Sequence, residues 1–115
     1  MVKMENNGIE KARAYKMIEV IEYVSHSVAI KSILKKPTGS ITAVSFDTGE
    51  VVNEKIIPFD TFIQIIEGKA EFVVDGISHL LNTGQSIIVP AHSSKIIKAN
   101  ERFKMISIII KSGYE

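Results

Sequence analysis

Residues 61–90 read TFIQIIEGKAEFVVDGISHLLNTGQSIIVP, and the fold is decided there. The stretch divides into short runs rich in β-branched and aromatic residues, each closed by turn chemistry. Thr61–Glu67 stops at Gly68, and Ala70–Val74 stops at Asp75-Gly76, a two-residue hairpin signal. Ile77–Leu81 runs into Asn82-Thr83-Gly84, and Ser86–Val89 ends on Pro90, which closes a strand without needing an amide donor. Nothing in the stretch repeats at the helical period.

The same texture extends both ways. Upstream lie Val28–Lys35 before Pro37-Thr38-Gly39, Ser40–Asp47 before Thr48-Gly49, and Val51–Ile57 before Pro58. Downstream, Lys95–Ala99 leads through Asn100-Glu101 into Phe103–Lys111. Such a series predicts an all-β sandwich or barrel, and the lack of interleaved helices argues against a βαβ parallel sheet. Only Ile9 to Ile18 carries roughly helical spacing, which predicts one short helix packed on the outside. A chain of 115 residues supports one core, so we divide it into an N-terminal segment, 1–27, and a barrel domain, 28–112.

Composition removes several classes of function. With no cysteine there is no disulfide framework, thiol catalysis or cysteine-based metal centre. A net charge of +1 from interspersed lysines and acids lacks the basic footprint of a nucleic-acid binder, and Lys35-Lys36 and Lys95/Lys98 read as solubilising lysines at strand ends. The longest apolar stretches, such as Ile106–Ile110, fall far below the ~18 residues that cross a bilayer, and the N-terminus does not resemble a secretory signal. The expectation is a cytoplasmic protein without nucleic-acid or membrane partners. Two runs are apolar on both alternating faces: Phe62 and Ile66 against Ile63 and Ile65, and Met105 and Ile109 against Ile106, Ile108 and Ile110. Such strands need cover on both sides, supplied by a homodimer contact or by the N-terminal segment.

Two glycine-anchored frames carry a family resemblance. The first places Lys55, Ile57, Thr61 and Gly68 after Gly49, and the second places Pro90, His92, Lys95 and Ala99 after Gly84. In spacing, in the Ile65-Ile66-Glu67-Gly68 strand end, in the Asp75-Gly76 hairpin and in Ile87-Ile88-Val89-Pro90-Ala91, residues 28 to 111 resemble the small single-domain cupins. The resemblance implies a jelly-roll barrel, a double-stranded β-helix with an internal cup, preceded here by the short helix. It also implies that a family member would hold a divalent metal through histidines at 55, 57 and 95 and a glutamate at 61. This chain has Lys55, Ile57, Thr61 and Lys95 instead, groups that are poor donors or none at all, so no metal or other cofactor is expected. The histidines, His26, His79 and His92, read as exposed or structurally satisfied.

If both lysines follow the family register, two ammonium groups enter one cup and repel by about 4 kcal/mol at ~4 Å and an effective dielectric of 20. A bound anion would relieve that. The resulting site expectation is a small polar or anionic molecule held by Lys55, Thr61 and Lys95 against an apolar wall of Ile57, Ile63 and Ile97. Glu54 is one residue from Lys55 and on regular alternation faces away. Two alternatives stand beside this reading. One is a structural, dimer-forming barrel with a filled interior. The other, less favoured, is a metal-independent sugar-modifying or lyase-type enzyme, for which no positioned acid and base are evident. Asp60 reads as an acceptor for a backbone amide at the strand entry, Ser93-Ser94 as turn residues, and Tyr114 lies near the chain end.

Overall fold

The computed structural model describes residues 2–5 and 9–111, so Tyr114 lies outside the described residues. Among the described residues the strands are β1 (Val2–Glu5), β2 (Val28–Lys36), β3 (Gly39–Phe46), β4 (Val51–Glu54), β5 (Thr61–Val74), β6 (Ile77–Asn82), β7 (Ser86–Val89), β8 (Lys95–Lys98) and β9 (Phe103–Ile110). They form two sheets that share β5. Sheet A runs β1-β2-β3-β9-β5-β7 and sheet B runs β6-β5-β8-β4, antiparallel throughout except for β1 against β2. This is the all-β jelly-roll barrel of the expectation.

β5 is longer than the sequence runs suggested, because Gly68 redirects the strand rather than ending it. Residues before Gly68 pair with β7 and β9 in sheet A, and residues after it pair with β6 and β8 in sheet B. The register against β9 slips between Ile65 and Glu67, a bulge that bends the chain just before the crossing. Gly68 itself sits at φ +83, and a β-carbon there would overlap the Arg102 carbonyl oxygen, so both conformation and space demand glycine. The Asp75-Gly76 hairpin has φ +48 and +82, the paired left-handed residues of a type I′ turn.

Alternation fixes the interior. Along β5, Thr61, Ile63 and Ile65 are buried while Phe62 and Gln64 are exposed. Facing them inside the barrel are Phe46, Phe72, Val89, Ile97, Phe103 and Met105, which form one hydrophobic core. Phe46 and Phe103, cross-strand partners on β3 and β9, stack with centroids 4.6 Å apart. Such a pair adds roughly 0.5–1.5 kcal/mol beyond area burial.

The N-terminal segment differs from its expectation in position. Its helix, α1 (Met17–Val20), is four residues long and lies at the end of the Ile9–Ile18 stretch rather than along it, with no buried residue of its own. Residues 2–5 of the same segment add the parallel edge strand β1. After α1 the chain runs as a strap over the outer face of sheet A, where buried Ile21 packs with Ala29 and Ala43, flanked by Val20, Val24 and Ile33. Polar ties hold it: Ser45 Oγ donates to the Glu22 carbonyl at 2.8 Å, and Lys104 Nζ donates to the Ile18 carbonyl at 2.6 Å. The strap thus covers apolar residues of β2 and β3 and reaches β9 at Lys104.

Candidate functional site

Glu54, Lys95 and Val74 occupy one row of sheet B, with Lys95 paired to Glu54 on β4 and to Val74 on β5. Three loops meet at this end of the barrel. Asp75 Oδ1 accepts from the Ser94 amide at 2.8 Å, the His92 amide donates to the Ile57 carbonyl at 2.8 Å, and the Ala91 amide donates to Asp60 Oδ1 at 2.8 Å. Asp60 and Ser94 therefore hold loops together, as their sequence positions suggested. His92 turns with φ +67, a left-handed conformation that glycine adopts more readily than a residue with a β-carbon. His92 and His26 are exposed and His79 is half-buried.

The expected pair of inward lysines does not form. Lys95 is buried at 8% exposure, but Lys55 is exposed. The reason is local: β4 ends at Glu54, and the Ile57 carbonyl is bonded to the 91–94 loop, so strand alternation cannot be carried back from Ile57 to Lys55. Val52 and Glu54 take the more buried positions of β4, and Glu54 Oε2 lies 3.8 Å from Lys95 Nζ. Glu54, which alternation had turned away, is the charged neighbour of Lys95. It is the residue the sequence reading missed, because the direct pairing of Glu54 with Lys95 across β4 and β8 is not visible in the spacing.

The remaining expected residues divide by burial. Thr61 is inside at 2% exposure, in register with Val89 and Ile109. Ile57 is half-buried in its loop. Ile63 and Ile97 have no exposed surface, because Ile63 packs in the row of Ile87 and Ser107 and Ile97 in the row of Phe72 and Val52. The expected apolar wall is therefore, at these two positions, a packed floor. Cavities of about 390 Å³ between strap residues 19–24 and β2, and of about 360 Å³ beside Ala70, Leu81 and Asn100, lie away from all six residues.

A divalent metal does not fit the four family positions. Protonated ammonium groups and an isoleucine offer no lone pair, one of the lysines points to solvent, and a threonine hydroxyl is a weak donor on its own. Among the described residues no three histidine, aspartate or glutamate side chains converge elsewhere.

A second polar cluster fastens the strap. The Tyr23 hydroxyl donates to Glu67 Oε1 at 2.5 Å, with Arg102 4.3 Å and Lys104 5.0 Å from its ring centroid. Burial and the bond to Glu67 push the Tyr23 pKa well above its ordinary value. Arg102 also bonds Asp47 at 3.1 Å. The carboxyl of Asp47 is held below the usual range by the His26 amide first, then by Arg102 and the Thr48 amide.

Two sheets sharing one bent strand, with turns at the two glycine frames, define a double-stranded β-helix domain. A conserved protein of unknown function from Streptococcus pyogenes superposes with a TM-score of 0.85 at 25% identity, covering 91% of this chain and 92% of that one. A cupin superfamily protein from Desulfitobacterium hafniense gives 0.83 at 27% identity, with 90% and 95% covered. A cupin 2 conserved barrel domain protein from Leptotrichia buccalis gives 0.81 at 30% identity over 84% of this chain, which spans 47% of that protein. The chain folds as a small cupin domain, like these neighbours. Neither the protein-family models nor the curated proteins give a match. Among the described residues no helix is long and apolar enough to cross a membrane.

Proposed function

We propose that this cupin domain is a metal-independent binding module that takes a small polar molecule at the barrel end where Lys95 and Glu54 stand. The observation that carries the reading is the state of the Lys95 ammonium. It is largely buried, it carries three donors, and its carboxylate neighbour at 3.8 Å is beyond hydrogen-bond length. Those donors are open to a ligand that reaches the rim. Because Glu54 stands beside them, the favoured ligand offers an acceptor to Lys95 and a donor to Glu54, as a hydroxy acid or a zwitterion does. A plain anion would meet the Glu54 charge. Lys55 and Ile57 stand at the same rim.

The test is a thermal-shift panel of hydroxy acids, amino acids, phosphates and polyols on wild type, Lys95→Met and Glu54→Gln. A ligand present at a hundredfold excess over its Kd stabilises by about 2.7 kcal/mol. A shift of several degrees in wild type that vanishes in Lys95→Met supports the site. No shift from any ligand, or equal shifts in Lys95→Met, removes it.

A second reading, a structural barrel with a filled interior, is favoured by the absence of exposed surface at Ile63, Phe72, Ile97 and Phe103. It predicts that no panel ligand shifts any variant.

A further inference from the structure

We infer that the ligand taken at the Lys95–Glu54 rim is an α-amino acid with an apolar side chain, and that Ile77 selects it; this rests on the site proposed above. One cross-strand row carries the inference. Ile77 on β6 pairs with Val74 on β5, Val74 pairs with Lys95 on β8, and Lys95 pairs with Glu54 on β4. Residues directly opposite one another point to the same face of a sheet. Here that face is the inner one, because Phe72 and Ile97, two residues along from Val74 and Lys95, lie in the core and Val74 itself packs against it.

The row is ordered by chemistry: two apolar side chains, then a cation, then an anion. An α-amino acid has the same order at the same scale. Its carboxylate carbon and its nitrogen are bonded to one α-carbon and stand about 2.5 Å apart, which suits Lys95 Nζ and Glu54 Oε2 at 3.8 Å from each other. The carboxylate accepts from Lys95 and the ammonium donates to Glu54. The side chain then extends the other way, over Val74 and toward Ile77, whose strand lies about 10 Å from that of Lys95. A hydroxy acid gives Glu54 only a neutral donor, so the zwitterion binds more tightly. A charged side chain would be stranded over the two apolar residues.

Access and rigidity support the same reading. Ile77 is 64% exposed and the Glu54 side chain 40%. Lys95 Nζ makes no hydrogen bond, and no buried side-chain nitrogen or oxygen among the described residues lacks a partner, so the ammonium reaches the surface. The turn that carries Ile77 is also tied to the strand that carries Lys95. Asp75 accepts from the Ser94 amide at 2.8 Å, and its own amide donates to the Ser94 carbonyl at 3.1 Å. Ile77 therefore stands at a fixed place relative to the cation, as a residue that measures side-chain length and polarity must.

Titration calorimetry on the full chain tests this with leucine, alanine, lysine and the hydroxy-acid analogue of leucine, against wild type, Ile77→Glu and Lys95→Met. Leucine should bind wild type about tenfold more tightly than alanine, since each covered methylene contributes up to about fourfold. It should also bind more tightly than its hydroxy acid. Ile77→Glu, at a mostly exposed position, should leave alanine binding within about threefold, abolish the preference for leucine and favour lysine, whose side-chain ammonium it would meet. Equal binding of leucine and alanine, a leucine preference that survives Ile77→Glu, or a hydroxy acid that binds as well as leucine overturns the inference and leaves the Lys95–Glu54 site standing. No binding of any of the four, or binding untouched by Lys95→Met, overturns both.

Discussion

Gly68→Ala is the sharpest test of how the two sheets are joined. A residue with a β-carbon at φ +83 costs roughly 1–2 kcal/mol, less the 0.4–1 kcal/mol gained by stiffening the unfolded chain, so the backbone contribution is about 1 kcal/mol. Gly76→Ala, at φ +82 with nothing within 4 Å, should cost that and no more. At Gly68 the new β-carbon also overlaps the Arg102 carbonyl oxygen and stands 3.0 Å from the Phe103 α-carbon. Both are backbone atoms of the paired segment, so relief requires parting two strands, an overpacking cost of roughly 1–3 kcal/mol. The sum is about 2–4 kcal/mol, or a melting temperature lower by about 10–15 °C against about 4 °C for Gly76→Ala. Gly39→Ala isolates the other half, since its β-carbon meets the Ile109 carbonyl oxygen at 2.6 Å and its φ is not in the left-handed region. Urea denaturation followed by circular dichroism measures all three. If Gly68→Ala matched Gly76→Ala within about 0.5 kcal/mol, the close approach of β5 to the Arg102-Phe103 segment would be refuted.

Three further outcomes follow from individual side chains. Tyr23 has a folded pKa above its unfolded one, so its contribution is intact below about pH 10 and is lost as pH rises from there. Tyr23→Phe should flatten the alkaline limb of a stability profile. Asp47 has a depressed folded pKa, so its contribution is complete above the ordinary carboxylate pKa, about 3.9, and is lost as pH falls through the lower folded value. Asp47→Asn should remove that acid dependence and, by loosening Arg102 and the His26 turn, lower stability at pH 7. His92→Gly should raise stability by roughly 0.5–1 kcal/mol in thermal melts, because φ +67 strains a β-carbon, even in a residue type that tolerates it better than most.

Much of the barrel was legible because its turns are chemical. Asp75-Gly76 can supply two left-handed residues in succession, and the structure uses them so. Gly68 was legible as a special position but not as a bend within one strand, since a run of residues does not reveal whether the partner changes across a glycine. The helix was misplaced because helical spacing in Ile9–Ile18 carried no cap and no buried face, and tertiary packing instead selected Ile21 as the anchor on sheet A. At the site, Thr61 and Lys95 were readable as inward because both lie in regular strands. Lys55 and Glu54 were not, since a period of two holds only as long as the ladder does, and this ladder stops at Glu54.

Electrostatics explains why the chain settles with that register. Lys95 is fixed in its row by two neighbours, Val74 on one side and a β4 residue on the other. Were Lys55 in that place, two ammonium groups would share a shielded row at a cost of about 4 kcal/mol for a separation near 4 Å. With Glu54 there, the same geometry turns repulsion into attraction, and Lys55 is left in water, where its charge costs nothing to solvate. Because Glu54 keeps 40% of its side chain exposed, solvent screens that attraction to an order of 1 kcal/mol. Of the four positions from which the family would draw metal donors, only Lys95 enters this pair, and its partner Glu54 is partly exposed. The chemistry of this barrel end follows from that pair, a fixed cation and a fixed carboxylate side by side.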